Sequence, residues 1–382
     1  MTQLAGVAGQ TESDRERRAF EVMITRLEGA AAELLSIETL NGDRAPTELK
    51  RIGYGLPLLL RYRVSGAAKQ LVFRTQAPNW FGHDRRSDRA CLSLLAADSF
   101  GEQPRHIVVR EVGALRENEL LSLRGTGEFY LVTDYVEGTL YANDLRRIER
   151  TGSSTPLDLA RVEVLARHLA ELHAAPTASD SPEAYTRSIR DLVGSGEGIF
   201  GIVDSYPRDF QRSHLLERIE ELAVGWRRRI GRSKTDRLRR THGDFHPYNI
   251  LFGEGLEYTL LDASRGGRGD PADDLAALSI NFLFDGIRCP QAWVEGFGPL
   301  WRAFFKCYLA LVKDDRVLEH MAPFLAWRAL VLACPAWYPD IENGLRESLL
   351  MAAIQWLENP PFDPDTVEAT FTGLGVPLLP HT

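Results

Sequence analysis

Apolar residues near the N-terminus recur at helical spacing, which predicts an amphipathic helix. Ser13 precedes this run and is a residue type that caps helix N-termini. The apolar positions assigned to the helix are Phe20, Met23, Ile24, Leu27, Leu34 and Leu35. The pattern predicts a packed helix at the start of the chain.

Shorter, strand-like runs follow. Residues 48–75 read ELKRIGYGLPLLLRYRVSGAAKQLVFRT and contain two or three strand candidates, with turn signals at Gly53, at Gly55 and in SGAAK. A helical stretch, DRRSDRACLSLLAAD, is followed by two more strand-like runs, HIVVREV and FYLVTDYV. Together these segments predict a small, mostly antiparallel sheet with one inserted helix.

The pattern becomes helical after Gly138. The segment LDLARVEVLARHLAELHA places Leu165, Leu169 and Leu172 on one helix face, and helical patterns continue to Gln355 with one interruption near residue 241. The final segment, ENPPFDPDTVEATFTGLGVPLLPHT, predicts an irregular surface tail. We therefore expect an α+β fold with a sheet-containing lobe over residues 1–137 and a helical lobe over residues 138–382.

Composition narrows the classes of function. A chain of 382 residues with 44% hydrophobic content can form two domains, and a net charge of −8 disfavours a nucleic-acid partner. The four cysteines form no CxxC pair, and neither a signal peptide nor a membrane-spanning run is recognisable. We expect a cytoplasmic protein, monomeric or homodimeric, that acts on a small molecule rather than on nucleic acid or a membrane.

The interruption near residue 241 carries the strongest signal in the sequence. In THGDFHPYNILF, His242, Gly243 and Asp244 are followed after four residues by Asn249, and a second strand-like run ends in Asp262. The pattern H-G-D-x-x-x-x-N occurs by chance in roughly one chain in 400 of this length. A hairpin here would bring two carboxylates and one amide to the same end.

Phosphoryl transfer requires this set of groups. An aspartate orients the acceptor hydroxyl and takes its proton, while an amide oxygen and a second carboxylate hold Mg²⁺ against the phosphates. The pattern assigns Asp244 the first role and Asn249 and Asp262 the second. As an alternative, His242 and His246 with Asp244 have the spacing of metal ligands on a helix, although Gly243 disfavours a helix there.

The segments HGDFHPYNILF, LLD and GDPADDLA occur in this order, and on them the chain resembles the aminoglycoside phosphotransferase family, relatives of eukaryotic-type protein kinases. The resemblance implies a two-lobed, protein-kinase-like fold that moves the γ-phosphoryl group of ATP, with GTP as the alternative, to a small-molecule hydroxyl with Mg²⁺. It adds His242 to the catalytic residues. It also implies that Asp274 starts a helix and braces the catalytic loop.

The same resemblance implies where the nucleotide binds. LVTDYVEG resembles the family's hinge, so the backbone of Asp134, Tyr135 and Val136 would meet the adenine edge. Gly53 and Gly55 occupy the position of the phosphate-covering turn, although an ordinary hairpin turn has the same sequence.

A departure from the kinase pattern lies on the strand QLVFRTQ. Arg74 stands where kinase-like folds place a phosphate-binding lysine, and Asp88 is its expected carboxylate partner. The alternative is that Arg74 is a surface arginine.

A further glycine-rich segment, VGSGEGIFG at 193–201, is similar to a dinucleotide-binding loop. It follows a helix pattern rather than a strand, so a linker between helices is favoured.

The acceptor remains open. The family includes antibiotic-modifying kinases and kinases of choline, homoserine, methylthioribose or sugars, and fold resemblance does not choose among them. The acidic net charge favours a cationic acceptor. The missing lysine leaves a nucleotide-binding pseudokinase as the alternative. Aromatic residues of the helical lobe are expected in its core: Trp293, Trp301, Phe304, Phe305, Trp327, Trp337 and Tyr338.

Overall fold

The computed structural model describes residues 12–40, 57–100, 102, 104–117, 119–174, 182–231, 235–263, 265, 267–312, 315–376 and 378. The chain divides into two compact units, Met1–Thr133 and Asp134–Thr382. Gly53 and Gly55, predicted to form the phosphate-covering turn, lie outside the described residues. Each unit has its own hydrophobic core.

In its described residues, the first unit combines two helices with antiparallel strands. In chain order its elements are α1 (Glu12–Glu28), β1 (Ala32–Thr39), β2 (Leu58–Val64), β3 (Ala67–Phe73), α2 (Arg86–Phe100), β4 (Gly113–Arg116) and β5 (Glu119–Ser122). Strands β1, β2 and β3 form one sheet in that order, and β4 pairs with β5 in a hairpin.

Helix α1 is shorter than its apolar pattern predicts. It ends before Gly29, whose φ of 67° lies in the left-handed region that glycine adopts without steric cost. Leu34 and Leu35 therefore lie on β1 and not on the helix. The helix begins before Ser13, so this serine is inside the helix and is not its cap.

The hairpin of β2 and β3 confirms the predicted strands. It turns at Ser65 and Gly66, whose φ angles of 49° and 82° match the two left-handed positions of a tight hairpin turn. On one face of the sheet, Phe20 of α1 packs edge-on against Phe73 with ring centroids 4.9 Å apart. The helix thus covers the sheet and buries its inner face.

Two strands predicted for the sheet-containing lobe are wrong. Residues 106–112 and 129–136 have no regular secondary structure, and the side chain of Leu131 is 93% exposed. A β-branched, apolar run forms a strand only where a neighbouring strand pairs with its backbone. Here β4 and β5 pair with each other. The predicted inserted helix is confirmed as α2.

The second unit is mainly helical. Its strands are β6 (Thr139–Leu140), β7 (Ile250–Phe252) and β8 (Tyr258–Leu260), which form one antiparallel sheet. Its helices are α3 (Tyr141–Thr151), α4 (Pro156–Ala174), α5 (Pro182–Gly194), α6 (Ile199–Asp204), α7 (Ser213–Ile230), α8 (Pro271–Arg288), α9 (Phe297–Val312), α10 (Met321–Ala333), α11 (Asn343–Glu358) and α12 (Val367–Gly373). The glycine-rich segment at 193–201 joins α5 to α6 and is therefore a linker, as predicted.

Helices α8 to α11 build the core of this unit. Trp293, Trp301 and Trp327 are buried there as predicted, whereas Trp337 is exposed. The C-terminal segment is not a surface tail, because α12 and the residues around it bury apolar side chains in the same core. These side chains are Phe362, Val367, Phe371 and Leu378.

The combination of an antiparallel sheet unit with a helical unit confirms the α+β class. Within the described residues, no helix is both long enough and apolar enough to cross a bilayer.

Candidate active site

The β7–β8 hairpin brings two predicted metal ligands to one end. Ile250 pairs with Leu260, and the backbone N–H of Leu261 donates to the carbonyl of Asn249 at 2.8 Å. Asn249 therefore precedes β7 directly opposite the end of β8, and Asp262 follows one residue later. Local strand pairing alone is enough to place these two side chains at the same edge.

The catalytic loop between residues 242 and 249 is braced by helix α8. Asp270 caps this helix by accepting from the backbone N–H of Ala272 at 3.0 Å, so it is Asp270, and not Asp274, that starts the helix. One turn later, the fully buried Asp274 accepts from the backbone N–H groups of His242 and Gly243, each at 2.8 Å. The predicted bracing by Asp274 is confirmed.

Gly243 has a conformation that fits its place in the motif. Its φ of 83° is strained for residues with a side chain but not for glycine. In this conformation consecutive backbone N–H groups of the loop reach the two oxygens of the Asp274 carboxylate. Nε2 of His173 on α4 lies 3.1 Å from Oδ2 of the same carboxylate and is a third hydrogen-bond partner of Asp274.

Replacing Asp274 by alanine should destabilise the protein by about 3–5 kcal/mol, because it leaves buried partners of a charged group unsatisfied. Urea unfolding followed by circular dichroism measures this. Asp209→Ala, at an exposed aspartate of the same unit, is the matched control and should change stability by less than about 0.5 kcal/mol. A loss below about 1 kcal/mol for Asp274→Ala would show that the loop does not depend on this carboxylate.

Asp244 lies in a dense polar network. Its Oδ1 accepts from Nη1 of Arg328 at 2.8 Å and from Nη1 of Arg265 at 3.2 Å. Its Oδ2 accepts from the side-chain amide of Asn249 at 3.3 Å and lies 3.5 Å from Nε2 of His246. Both carboxylate oxygens are therefore held in fixed directions.

These partners also set the charge of the Asp244 carboxyl. Burial acts to raise its pKa, but the hydrogen bond from His246 and the charges of Arg328 and Arg265 outweigh burial and hold the pKa well below its usual range. Asp244 is thus ionised throughout the neutral range. An ionised carboxylate can orient an acceptor hydroxyl and receive its proton.

The two histidines of the motif are engaged within the loop. Nδ1 of His242 accepts from the backbone N–H of Asp244 at 3.3 Å, and the ring is buried against Phe245. Nδ1 of His246 accepts from the backbone N–H of Tyr248 at 3.1 Å. These contacts give His242 the geometry of a residue that positions Asp244.

The zinc alternative finds no support in this geometry. Across the ranges that the structure describes, no group of three or more His, Cys, Asp or Glu side chains has the arrangement of a metal site.

The residues predicted to hold Mg²⁺ have the right chemistry. The side-chain N–H₂ of Asn249 donates to the backbone carbonyl of Asp244 at 3.0 Å, which leaves its amide oxygen without a hydrogen-bond donor among the described residues. Asp262 is exposed, has no hydrogen bond or ion pair within the described ranges, and adopts a φ of 41° that is uncommon outside glycine. These are two hard oxygen ligands, and a cation such as Mg²⁺ commonly completes its shell with water and phosphate oxygens.

In the first unit, Arg74 and Asp88, both predicted to contact the nucleotide, do not pair with each other. Arg74 lies just after β3, is exposed rather than buried, and forms no ion pair with any described residue. The carboxylate of Asp88 accepts from the backbone N–H of Arg85 at 2.9 Å, at the start of α2. The predicted Arg74–Asp88 pair is therefore absent from the described part of the unit, because the strand ends before Arg74 and α2 buries no side chain against it.

The predicted hinge residues lie at the start of the second unit. Asp134, Tyr135 and Val136 have no regular secondary structure, and the side chain of Tyr135 is exposed. Their backbone groups are outside every strand of the sheet formed by β6, β7 and β8.

Two partners of Asp244, Arg265 and Arg328, were not anticipated from the sequence. Arg265 lies in SRGGRGD, only three residues beyond Asp262. A positive charge so close to the motif could have predicted an arginine at the site. Arg328 and Trp327 lie on α10 among apolar residues and gave no such signal. Nη2 of Arg328 also donates to Asp273 at 3.1 Å; burial raises the pKa of Asp273 to about 6 although the charge of Arg328 opposes it.

Comparisons with known proteins place this geometry in a family. The family model described as the phosphotransferase enzyme family matches residues 58–305, which is more than half of the chain and includes the whole catalytic segment. Comparison with curated proteins gives no match.

Several solved structures are similar to the chain. An aminoglycoside phosphotransferase from Streptomyces rimosus is 17% identical, with 81% of this chain and 98% of that chain covered and a TM-score of 0.32. An ethanolamine kinase from Plasmodium vivax is 11% identical, with 98% and 97% covered and a TM-score of 0.35. A choline kinase from Streptococcus pneumoniae is 15% identical, with 94% and 98% covered and a TM-score of 0.30.

The family assignment rests on the sequence match over residues 58–305, which contains the braced loop and the β7–β8 hairpin. The protein-kinase-like fold class predicted from the sequence is confirmed with it. The chain belongs to the phosphotransferase enzyme family.

Proposed function

We propose that this protein is a small-molecule kinase that transfers the γ-phosphoryl group of ATP to a hydroxyl group. The observation that carries the proposal is the arrangement of Asp244, Asn249 and Asp262 around one end of the β7–β8 hairpin. A base beside an amide oxygen and a second carboxylate is the set of groups that phosphoryl transfer requires.

Asp244 is the group that acts on the acceptor. Its carboxylate is ionised and its position is fixed by the backbone contacts of the loop, so it can accept a hydrogen bond from the acceptor hydroxyl and take up the proton as the new O–P bond forms. Asn249 holds the carboxylate in place through its side-chain N–H₂. His242 keeps the loop in shape, since its ring accepts from the backbone of Asp244.

Asn249 and Asp262 are the residues that would hold Mg²⁺. The bound cation would neutralise charge on the phosphate oxygens during transfer. The amide nitrogen of Asn249 is used in the loop, so its oxygen is the atom left for the metal.

The nucleotide would contact the first unit and the segment that follows it. Family membership favours ATP as the phosphoryl donor, with GTP as the alternative. We predict that the nucleotide binds to the backbone of residues 134–136 and to Arg74. Arg74 is exposed and has a guanidinium fork that suits phosphate oxygens.

A panel of hydroxylated acceptors with Mg-ATP tests the proposed function. Aminoglycosides, choline, homoserine, methylthioribose and simple sugars are incubated with the protein, and ADP formation and the mass of each product are measured. We expect one acceptor class to give ADP together with a product heavier by one phosphoryl group. Nucleotide binding with no transfer to any acceptor would instead support the pseudokinase alternative.

A further inference from the structure

The carboxylate of Asp244 has two edges with different surroundings. Oδ2 faces Asn249, the proposed metal ligand, and is therefore on the nucleotide side. Oδ1 faces Arg265 and Arg328, at 3.2 and 2.8 Å. An acceptor hydroxyl that approaches Asp244 opposite the metal must meet the Oδ1 edge, where two guanidinium groups already lie.

The two arginines are held unequally. Arg328 has 10% of its side chain exposed and spans Asp244 and Asp273 with its two Nη atoms. Arg265 has 29% exposed, and its Nε pairs at 3.2 Å with Glu197, whose own side chain is 74% exposed. Exposed ion pairs contribute little to stability, so the Glu197 contact of Arg265 is the one most easily exchanged, and Arg265 is the more exposed of the two arginines.

Trp327 fixes where the guanidinium of Arg265 lies. The central carbon of that guanidinium is 4.5 Å from the centroid of the indole ring, and that of Arg328 is 4.1 Å from it. Cation–π contact holds an arginine over the ring while leaving its N–H groups able to exchange partners. The guanidinium group of Arg265 is thus held in place by the indole ring, while its present hydrogen-bond partners can be replaced.

The charge of this edge selects among acceptors. Two guanidinium groups lie at this edge with the carboxylates of Asp244, Asp273 and Glu197 as their partners. A carboxylate or phosphate of the acceptor could replace the exposed Glu197 and gain the bidentate contact that arginine offers, whereas a cationic group could not.

We propose that the acceptor carries an anionic group, a carboxylate or a phosphate, that Arg265 binds this group, and that Oδ1 of Asp244 is thereby released for the hydroxyl of the same molecule. The inference rests on the proposed function, which supplies the hydroxyl and its transfer. It is opposite to the cationic acceptor that the net charge favours.

A set of probes with one carbon frame tests the inference. Binding of D-glycerate, glycerol 3-phosphate, glycerol and 3-amino-1,2-propanediol to the whole protein is measured by titration calorimetry. At least one of the two anions should bind about tenfold more tightly than glycerol and the amine, which is the scale of one charged hydrogen bond. The pair of anions distinguishes a carboxylate site from a phosphate site.

Three variants separate Arg265 from general charge effects. Arg265→Gln should remove the preference for the anion, and Glu197→Gln should strengthen anion binding a few-fold because a competing carboxylate is lost. Arg212→Gln is the matched control, since Arg212 is also an exposed arginine paired with a glutamate, Glu347 at 2.9 Å. It should leave all four affinities unchanged.

The outcomes are decisive in both directions. Equal or tighter binding of the amine or glycerol, binding of no probe by the folded protein, or an Arg265→Gln variant that loses affinity for Mg-ATP and not for the anion would each overturn the inference. The last result would assign Arg265 to the nucleotide phosphates. Phosphorylation of a cationic acceptor would keep the proposed function and remove this inference. Anion binding that depends on Arg265 without any phosphoryl transfer would leave an anion site at Arg265 and remove the proposed function, and with it the release of Oδ1 for a hydroxyl.

Discussion

Asp244→Asn should lower kcat by about 10²–10⁴ while leaving nucleotide affinity near that of the unchanged protein. The amide keeps the size of the side chain and one acceptor oxygen, but it cannot take up the proton of the acceptor hydroxyl. Steady-state kinetics with the best acceptor and a separate nucleotide titration measure the two effects.

A folding control is needed, because the substitution also removes the negative charge that faces Arg265 and Arg328. Circular dichroism and urea unfolding of the variant show whether the loop and α10 remain in place. Asp209→Asn, at an exposed aspartate, should leave kcat unchanged. Turnover by a folded Asp244→Asn variant within a few-fold of the unchanged protein would show that Asp244 is not the base.

Asp262→Ala should abolish the Mg²⁺-dependent part of the ATP-induced rise in Tm. A ligand that binds the folded state stabilises it by RT ln(1 + [L]/Kd), so Tm rises with affinity. A hard cation that loses one of two protein oxygens no longer links the nucleotide to this unit. Thermal unfolding with ATP is measured in the presence of Mg²⁺ and of EDTA for the unchanged protein and the variant.

The unliganded variant should unfold at nearly the same temperature as the unchanged protein, since Asp262 is exposed and has no partner among the described residues. Asp209→Ala again serves as the control and should keep the full Mg²⁺-dependent shift. If the ATP-induced rise in Tm of Asp262→Ala equals that of the unchanged protein in Mg²⁺, and falls by the same amount in EDTA, the metal is held elsewhere.

The hairpin and the loop could be predicted because their contacts are local in the chain. Asn249 and Asp262 are brought together by the β7–β8 hairpin, whose strands follow one another directly. Helix α4 and the β2–β3 hairpin could be predicted for the same reason, from the apolar periodicity of the helix and the turn residues of the hairpin. Where a pattern needed a distant partner, as in residues 106–112 and 129–136, the strand prediction was wrong.

The sequence by itself determined the α+β class, the family and the identity of the three groups proposed for phosphoryl transfer, because residue type and short spacing specify them. The tertiary structure decided which side chains surround Asp244. Arg328 is 84 residues from Asp244, and no local pattern in an apolar helix such as α10 indicates that a guanidinium will be buried against a distant carboxylate. Helix packing brings α10 to the catalytic loop, and a buried charge must then find its partner across that contact, so the charge of the acceptor edge depends on the fold and not on the motif.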